Sequence, residues 1–403
     1  MSESKTKSDS GGIIESPSED KDKSLFGRTT RRQFIGKSAG VALAIGGSSA
    51  FLAACGAGSS SGGEVNVLSW ASYVDSEENK LWAEAHPDIK LNTVVADADQ
   101  TMFTKLKAGG AGSFDIVFAN AGWTPTYYKN NLIETIDLKD IPSSKQLYPV
   151  FKENTEFPYV MDKDKVLLYP NMWAPLGMIW NTNVDYQPTP PYSWSQLWDP
   201  SIPDNKVILS GGAVEILSMA GIEQGVPLTK ILQMKGAELE NATNRLIELK
   251  PFQVNPYAVP QFRNQIRTEE GWIGYSPDMS SALLINQQAG SETAKNVIPE
   301  QGTAGWIDGP MLVKGAKNRE NALKYIDWFA SDQKLLTYMW DQYGFAQANQ
   351  DAVKRAIDRG GDSAKLAKAI GADKPDTVKQ IALLGLPDDN QAWNAAWDKI
   401  TGQ

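Results

Sequence analysis

The sequence predicts an α/β protein of two lobes, and three observations carry that prediction. After Glu64, strand-like and helix-like segments alternate in β-α-β-α-β order, the pattern of parallel strands joined by right-handed crossovers. A second alternating series begins at Met178. Two segments, Val166 to Trp180 and Gly302 to Val313, run from one series to the other and are the candidate crossings between lobes. At 403 residues the chain is long enough for two lobes that each bury a core.

In the first series, Val65 to Trp70 (V-N-V-L-S-W) carries the β-branched alternation of a strand. Ser76 to Ala85 reads as a helix with Ser76 as N-cap and Glu77 and Glu78 in its first turn. Lys90 to Val95 is a second strand, and Asp99 to Ala108 a second helix stopped by Gly109-Gly110. Phe114 to Phe118 (F-D-I-V-F) is an apolar run of the kind buried in a parallel sheet. In the second series, Met178 to Trp180, Lys206 to Leu209, Gly271 to Ser276 and Asn296 to Pro299 read as strands. Ala213 to Gln224, Thr229 to Leu249 and Ser280 to Gln287 read as helices. From Arg319 the chain is mostly helical: Arg319 to Ala330, Asp332 to Gln342, Ala352 to Asp358 and Asn390 to Ile400.

The first 54 residues read as an address, not a domain. Met1 to Ser24 is too polar to fold. Thr30 to Ile35 (T-R-R-Q-F-I) precedes an uncharged Gly/Ala-rich run, Ser38 to Ala54, that ends in L-A-A-C at Leu52 to Cys55. A basic region, a moderate apolar run and small residues before a cut make a signal peptide. Arg31 and Arg32 resemble a twin-arginine export signal, and Leu52-Ala53-Ala54-Cys55 resembles a lipobox, with Cys55 as the lipidated residue. Residues 55–63 are a Gly/Ser tether. The expected location is the outer face of the cytoplasmic membrane, facing the periplasmic space, with a lipid anchor.

Composition removes several functions. Net charge is −9, and residues 1–54 hold eight Lys/Arg and six Asp/Glu, leaving 31 and 42 in the rest of the chain. An acidic body argues against a nucleic-acid partner. Cys55 and His86 are the only residues of their kinds, so no internal disulfide and no Cys/His-rich zinc site can form. No G-x-S-x-G elbow or adjacent carboxylate pair suggests catalysis, and Glu269-Glu270 reads as a solvated helix end. Neither enzymatic activity nor a cofactor is expected.

Six segments in one order resemble the spermidine/putrescine-binding group of bacterial solute-binding proteins that serve ATP-driven (ABC) importers. They are S-W-A-S-Y-V at Ser69, T-M-F-T-K-L-K at Thr101, F-D-I-V-F at Phe114, S-W-S-Q-L-W-D-P at Ser193, G-W-I-D-G-P at Gly305 and Y-G-F-A-Q-A-N at Tyr343. The resemblance implies the two-lobe periplasmic binding protein fold (type II), with crossing strands at a hinge and ligand in the cleft. It implies lobe 1 over 64–170 with 308–345, and lobe 2 over 171–307 with 346–403 and the C-terminal helices. It implies a small-molecule ligand of polyamine type, an ABC permease as partner, and a monomer.

By motif the resemblance nominates Trp70, Tyr73, Trp123, Glu215, Tyr275, Trp306, Asp308, Phe345 and Gln391 as ligand-binding residues. Ring faces attract cations, and a carboxylate adds a charge-assisted hydrogen bond. One departure stands out: Gly212 replaces an aspartate expected of polyamine binders, so the far end of the ligand has Glu215 alone or no partner. A neutral or anionic solute, a sugar or a carboxylate, therefore remains an alternative. So do packing roles for Trp123 and Tyr275, a plain turn at Gly211-Gly212, and a turn or N-cap role for Asp278. Trp194, Trp198, Trp328, Trp340, Trp393 and Trp397 read as packing residues, and Asp388-Asp389 as a helix cap. Signalling to a receptor is not separable from transport in the sequence.

Overall fold

The structure is a computed structural model that describes residues 62–249, 251–255 and 259–402. Arg31, Arg32, Cys55 and most of the tether lie outside the described residues. No helix among the described residues is long and apolar enough to cross a membrane.

Two sheets organise the body. Along the chain the principal strands are β1 (Glu64–Ser69), β2 (Lys90–Val95), β3 (Ile116–Asn120), β4 (Met172–Pro175) and β5 (Gly177–Asn181). Then come β6 (Val207–Ser210), β7 (Gln253–Asn255), β8 (Ile273–Ser276), β9 (Ala294–Val297), β10 (Thr303–Val313) and β11 (Ala346–Gln347). The first sheet has the order β11-β4-β10-β3-β1-β2, with Ile133–Glu134 and Ile381–Leu383 also pairing with β10. The second has the order β7-β6-β8-β5-β9. As the alternation predicts, β1 pairs parallel with β2 and β3, and β6 parallel with β7 and β8. β5 runs antiparallel to β8 and β9, and β10 antiparallel to β3 and β4 though parallel to Ile381–Leu383.

The helices relevant to the site are α1 (Ser76–Ala85), α2 (Asp99–Lys107), α3 (Ala213–Glu223), α4 (Val259–Arg267), α5 (Ser281–Ala289), α6 (Gln333–Tyr343) and α7 (Asn390–Thr401). The cap of α1 is Asp75, one residue before the expected Ser76. Its Oδ1 accepts from the Glu77 and Glu78 amides at 2.8 and 3.0 Å. Glu78 returns the favour by accepting from the Asp75 amide at 2.6 Å, a reciprocal closure of two otherwise unpaired donors. The third strand starts at Ile116 rather than Phe114. The intervening Asp115 carboxylate instead ties down the backbone amides of Asn66 and Asn318, each at 2.9 Å. The helix expected over 229–249 is two pieces, a 3₁₀ turn Leu228–Gln233 and a helix Ala237–Leu249. Gly236 lies between them at φ +53°, a left-handed conformation that glycine adopts without strain.

The crossing is narrower than expected. β4 belongs to the first sheet and β5 to the second, so the chain changes sheets at Leu176. All of β10 stays in the first sheet, because its eleven residues are paired successively with Ile381–Leu383, β4 and β3. Residues 172–175, 303–307, 346–347 and 381–383, expected in lobe 2, thus form strands of the first sheet.

Candidate ligand-binding site

A cleft of about 500 Å³ is lined from both sheets. Its first wall is set by β10. Trp306 and Asp308 are two residues apart on that strand, so their side chains project from the same face. Asp308 sits in the middle of the sheet, opposite Asn120 of β3 on one side and Met172 of β4 on the other. Trp70 and Tyr73 arrive on the short turn that follows β1, and Asn120 ends β3. Asp99 opens α2 immediately beyond β2. Trp70, Tyr73, Asn120 and Asp99 lie at the carboxyl ends of the parallel strands β1, β3 and β2, the edge at which open α/β sheets bind ligands.

Five aromatic rings form a connected surface here. Trp70 meets Tyr73 edge-on at 5.7 Å, Phe345 meets Trp306 edge-on at 5.1 Å, and Tyr343 stacks on Phe345 at 5.5 Å. Phe345 and Tyr343 hold their places because α6 ends at Gly344, which turns the chain at φ +67°. The Tyr343 hydroxyl donates to Asp75 Oδ2 at 2.9 Å, and Tyr338 donates to the same oxygen. A carboxylate of the α1 cap therefore fixes a ring of the cleft.

The charge on this wall is unbalanced. Asp308 Oδ2 accepts from the Tyr73 hydroxyl at 3.1 Å, but the buried Oδ1 has no partner among the described residues. Burial pushes Asp308 well above the usual carboxylate range, and the neighbouring Asp99 charge pushes it further; the Tyr73 hydrogen bond opposes both. Burial also raises Asp99, to about 7, against the bond its Oδ1 accepts from the Asn120 amide at 3.0 Å. Burial of both acidic groups, and the charge of one on the other, make ionisation costly, and a cationic ligand removes that cost.

The opposite wall comes from α4 and the turn between β8 and α5, where Arg263 and Asp278 pair at 3.0 Å. Arg263 also donates from Nε to Ser281 Oγ at 3.1 Å.

Of the nominated residues, the structure brings Trp70, Tyr73, Trp306, Asp308 and Phe345 together in the cleft. The other four stand elsewhere. Trp123 is buried against Phe103 and Tyr127, at ring distances of 6.1 and 6.5 Å. Tyr275 is buried on β8, where it meets Trp194 edge-on at 5.3 Å. Glu215 turns back along α3 and accepts from the Gly212 amide at 3.0 Å. Its carboxylate thereby occupies the helix N-terminus that an anion would otherwise use. Gln391 is exposed in the first turn of α7, the helix capped by Asp389.

Sequence reasoning missed Asp99, Asn120, Tyr343 and Arg263. Asp99 and Asn120 had a usable signal, since each directly follows or ends a parallel strand. Arg263 had none, because its helix had not been recognised.

The fold and cleft define a class: a two-lobe periplasmic binding protein of type II. The chain belongs to the bacterial extracellular solute-binding protein family, whose profile matches residues 80–370. That is a family of solute-binding transport proteins rather than a class of enzymes. The chain is 25% identical over 294 residues to the spermidine/putrescine-binding periplasmic protein 1 of Haemophilus influenzae, covering 72% of this chain and 76% of that one. It is 25% identical over 264 residues to the spermidine/putrescine-binding periplasmic protein of Escherichia coli, covering 64% and 70%. Among solved structures, a spermidine/putrescine ABC transporter substrate-binding protein from Streptococcus pneumoniae superposes with a TM-score of 0.65 at 21% identity, covering 84% of this chain and 98% of that one.

Proposed function

We propose that the chain is the exported, lipid-anchored capture component of an ABC importer. It closes its cleft around an aliphatic amine of the polyamine class and hands it to the permease. One observation carries the ligand reading: a carboxylate with a buried, unpartnered oxygen, Asp308, lies among the rings of Trp70, Tyr73, Trp306 and Phe345. An ammonium placed there gains a charge-assisted hydrogen bond and ring faces worth about 0.5–2 kcal/mol each. The names of the relatives support the same class. Export and anchoring rest on Arg31-Arg32 and on Leu52 to Cys55.

The test is a thermal-shift series with spermidine, putrescine and neutral sugars, since a ligand bound only by the folded state raises its melting temperature. Amines raise it and sugars do not. A sugar that stabilises the protein, and does so equally in Asp308→Asn, overturns the reading. Cys55→Ala releases the body from the membrane fraction, and retention after a carbonate wash overturns the anchor. A solute with an anionic group is the second reading, and Arg263 in the cleft wall is the observation for it.

A further inference from the structure

We propose that the cleft selects a zwitterion with separated charges: an ω-amino acid whose ammonium meets Asp308 and whose carboxylate meets Arg263. This rests on the amine reading for the Asp308 end and replaces the second ammonium of a diamine with an anion.

The argument begins with which atoms on the second wall are still available. Asp278 has most of its acceptor capacity engaged. Its Oδ2 accepts from Arg263 Nη2 at 3.0 Å, and its Oδ1 from the hydroxyls of Ser280 and Ser281 at 2.7 and 3.1 Å. Arg263 is held but not exhausted. Its Nε is fixed by Ser281 and its Nη2 by Asp278 and Ser280, whereas Nη1 makes no hydrogen bond among the described residues. The guanidinium is about a quarter exposed and lines the cleft. A planar cation anchored along one edge presents its remaining N–H groups in a fixed direction, the geometry that suits a carboxylate.

The charges of the two walls then differ in sign at the points a ligand can reach. On the first wall the unsatisfied group is an acceptor, Asp308 Oδ1. On the second the group without a protein partner among the described residues is a donor, Arg263 Nη1. A diamine places a cation against that donor, with the one nearby carboxylate already held by three donors, and like-charge juxtaposition of this kind is how binding sites reject wrong partners. Glu215, the remaining acid nominated for a second ammonium, is directed to the Gly212 amide. The two available groups lie on different sheets' elements, β10 and α4, so the ligand's charges must be at opposite ends rather than on one carbon.

Calorimetry on the full chain with a straight-chain ω-amino acid, a diamine and a monoamine of equal length, each over graded lengths, tests this. The ω-amino acid of best length binds at least about tenfold tighter than the matching diamine. In Arg263→Gln that ratio falls to about one, and Arg263→Lys restores part of it. A diamine that binds tighter than every ω-amino acid overturns the zwitterion while leaving the amine reading intact. So does a preference unchanged in Arg263→Gln. Absence of binding by all three probe types overturns the amine reading beneath it. If Arg263→Gln does not fold, the order of affinities in the unmodified protein decides alone.

Discussion

On the first sheet's side of the cleft, Asp308 keeps a buried oxygen without a partner among the described residues, and Asp99 adds a second acidic group whose charge acts on it. On the second sheet's side, Asp278 has both oxygens engaged by Arg263, Ser280 and Ser281. Both walls carry carboxylates, yet only one is short of positive charge. The difference separates a residue with an acceptor left open from one that positions a neighbour. An unpaired buried acid lowers stability until a cation arrives. A paired acid contributes mainly by holding its arginine in place. Presence of an aspartate in a cleft is thus no guide to its role, and the count of its remaining acceptors is.

The largest test of this contrast is Asp308→Asn. It removes the acid that would ionise against an ammonium, so amine affinity falls at least about tenfold, or ~1.4 kcal/mol, with ~2–5 kcal/mol typical for truncating a buried charge pair. The ligand-free protein becomes more stable, because a buried ionisable group is gone. Calorimetry and thermal melting read the two effects, and a variant that loses both affinity and stability contradicts the account.

Acidity is the next lever. Asp99 is raised to about 7, above its ordinary 3.8, so between those values the folded protein binds more protons than the unfolded chain. Its contribution to ligand-free stability is complete at acid pH and is lost as pH rises through about 7. Amine affinity moves the other way and strengthens over the same interval. Melting curves and titrations across pH check both slopes, and parallel slopes refute the assignment.

Trp306→Ala removes a ring face and weakens amine binding by a smaller amount, about 0.5–2 kcal/mol, with less salt dependence than Asp308→Asn. The smallest effect on binding belongs to Glu215→Ala. It acts at the start of α3, lowering stability by about 1 kcal/mol as loss of a helix-start contact does. Its effect on affinity is below that of Trp306→Ala. A larger loss of affinity returns Glu215 to the site.

The sequence was informative where periodicity and local chemistry agree. β2, α1 and the parallel pairing of β1, β2 and β3 were legible because alternation, acidic first turns and glycine stops point the same way. Trp306 and Asp308 were legible as a pair because a strand places residues two apart on one face. What was not legible depends on long-range partners. The sheet change at Leu176 follows from pairing of β4 with β10, more than a hundred residues away in sequence. Nothing local separates Trp123 or Tyr275, which packing buries, from Trp70, which a turn leaves in the cleft. Arg263 acquires meaning only through Asp278, and that contact spans fifteen residues and the strand β8.

The proton affinity of Asp99 has a calorimetric consequence. A cation that settles beside an acid protonated near neutral pH expels that proton into solution. The heat of capture then includes the ionisation heat of whichever buffer receives it. Titrations in two buffers of unlike ionisation enthalpy will give different apparent enthalpies for one affinity, and the slope between them counts protons released per ligand. Amine buffers are unsuitable for this measurement, since they present the cleft with the group the proposed ligand carries.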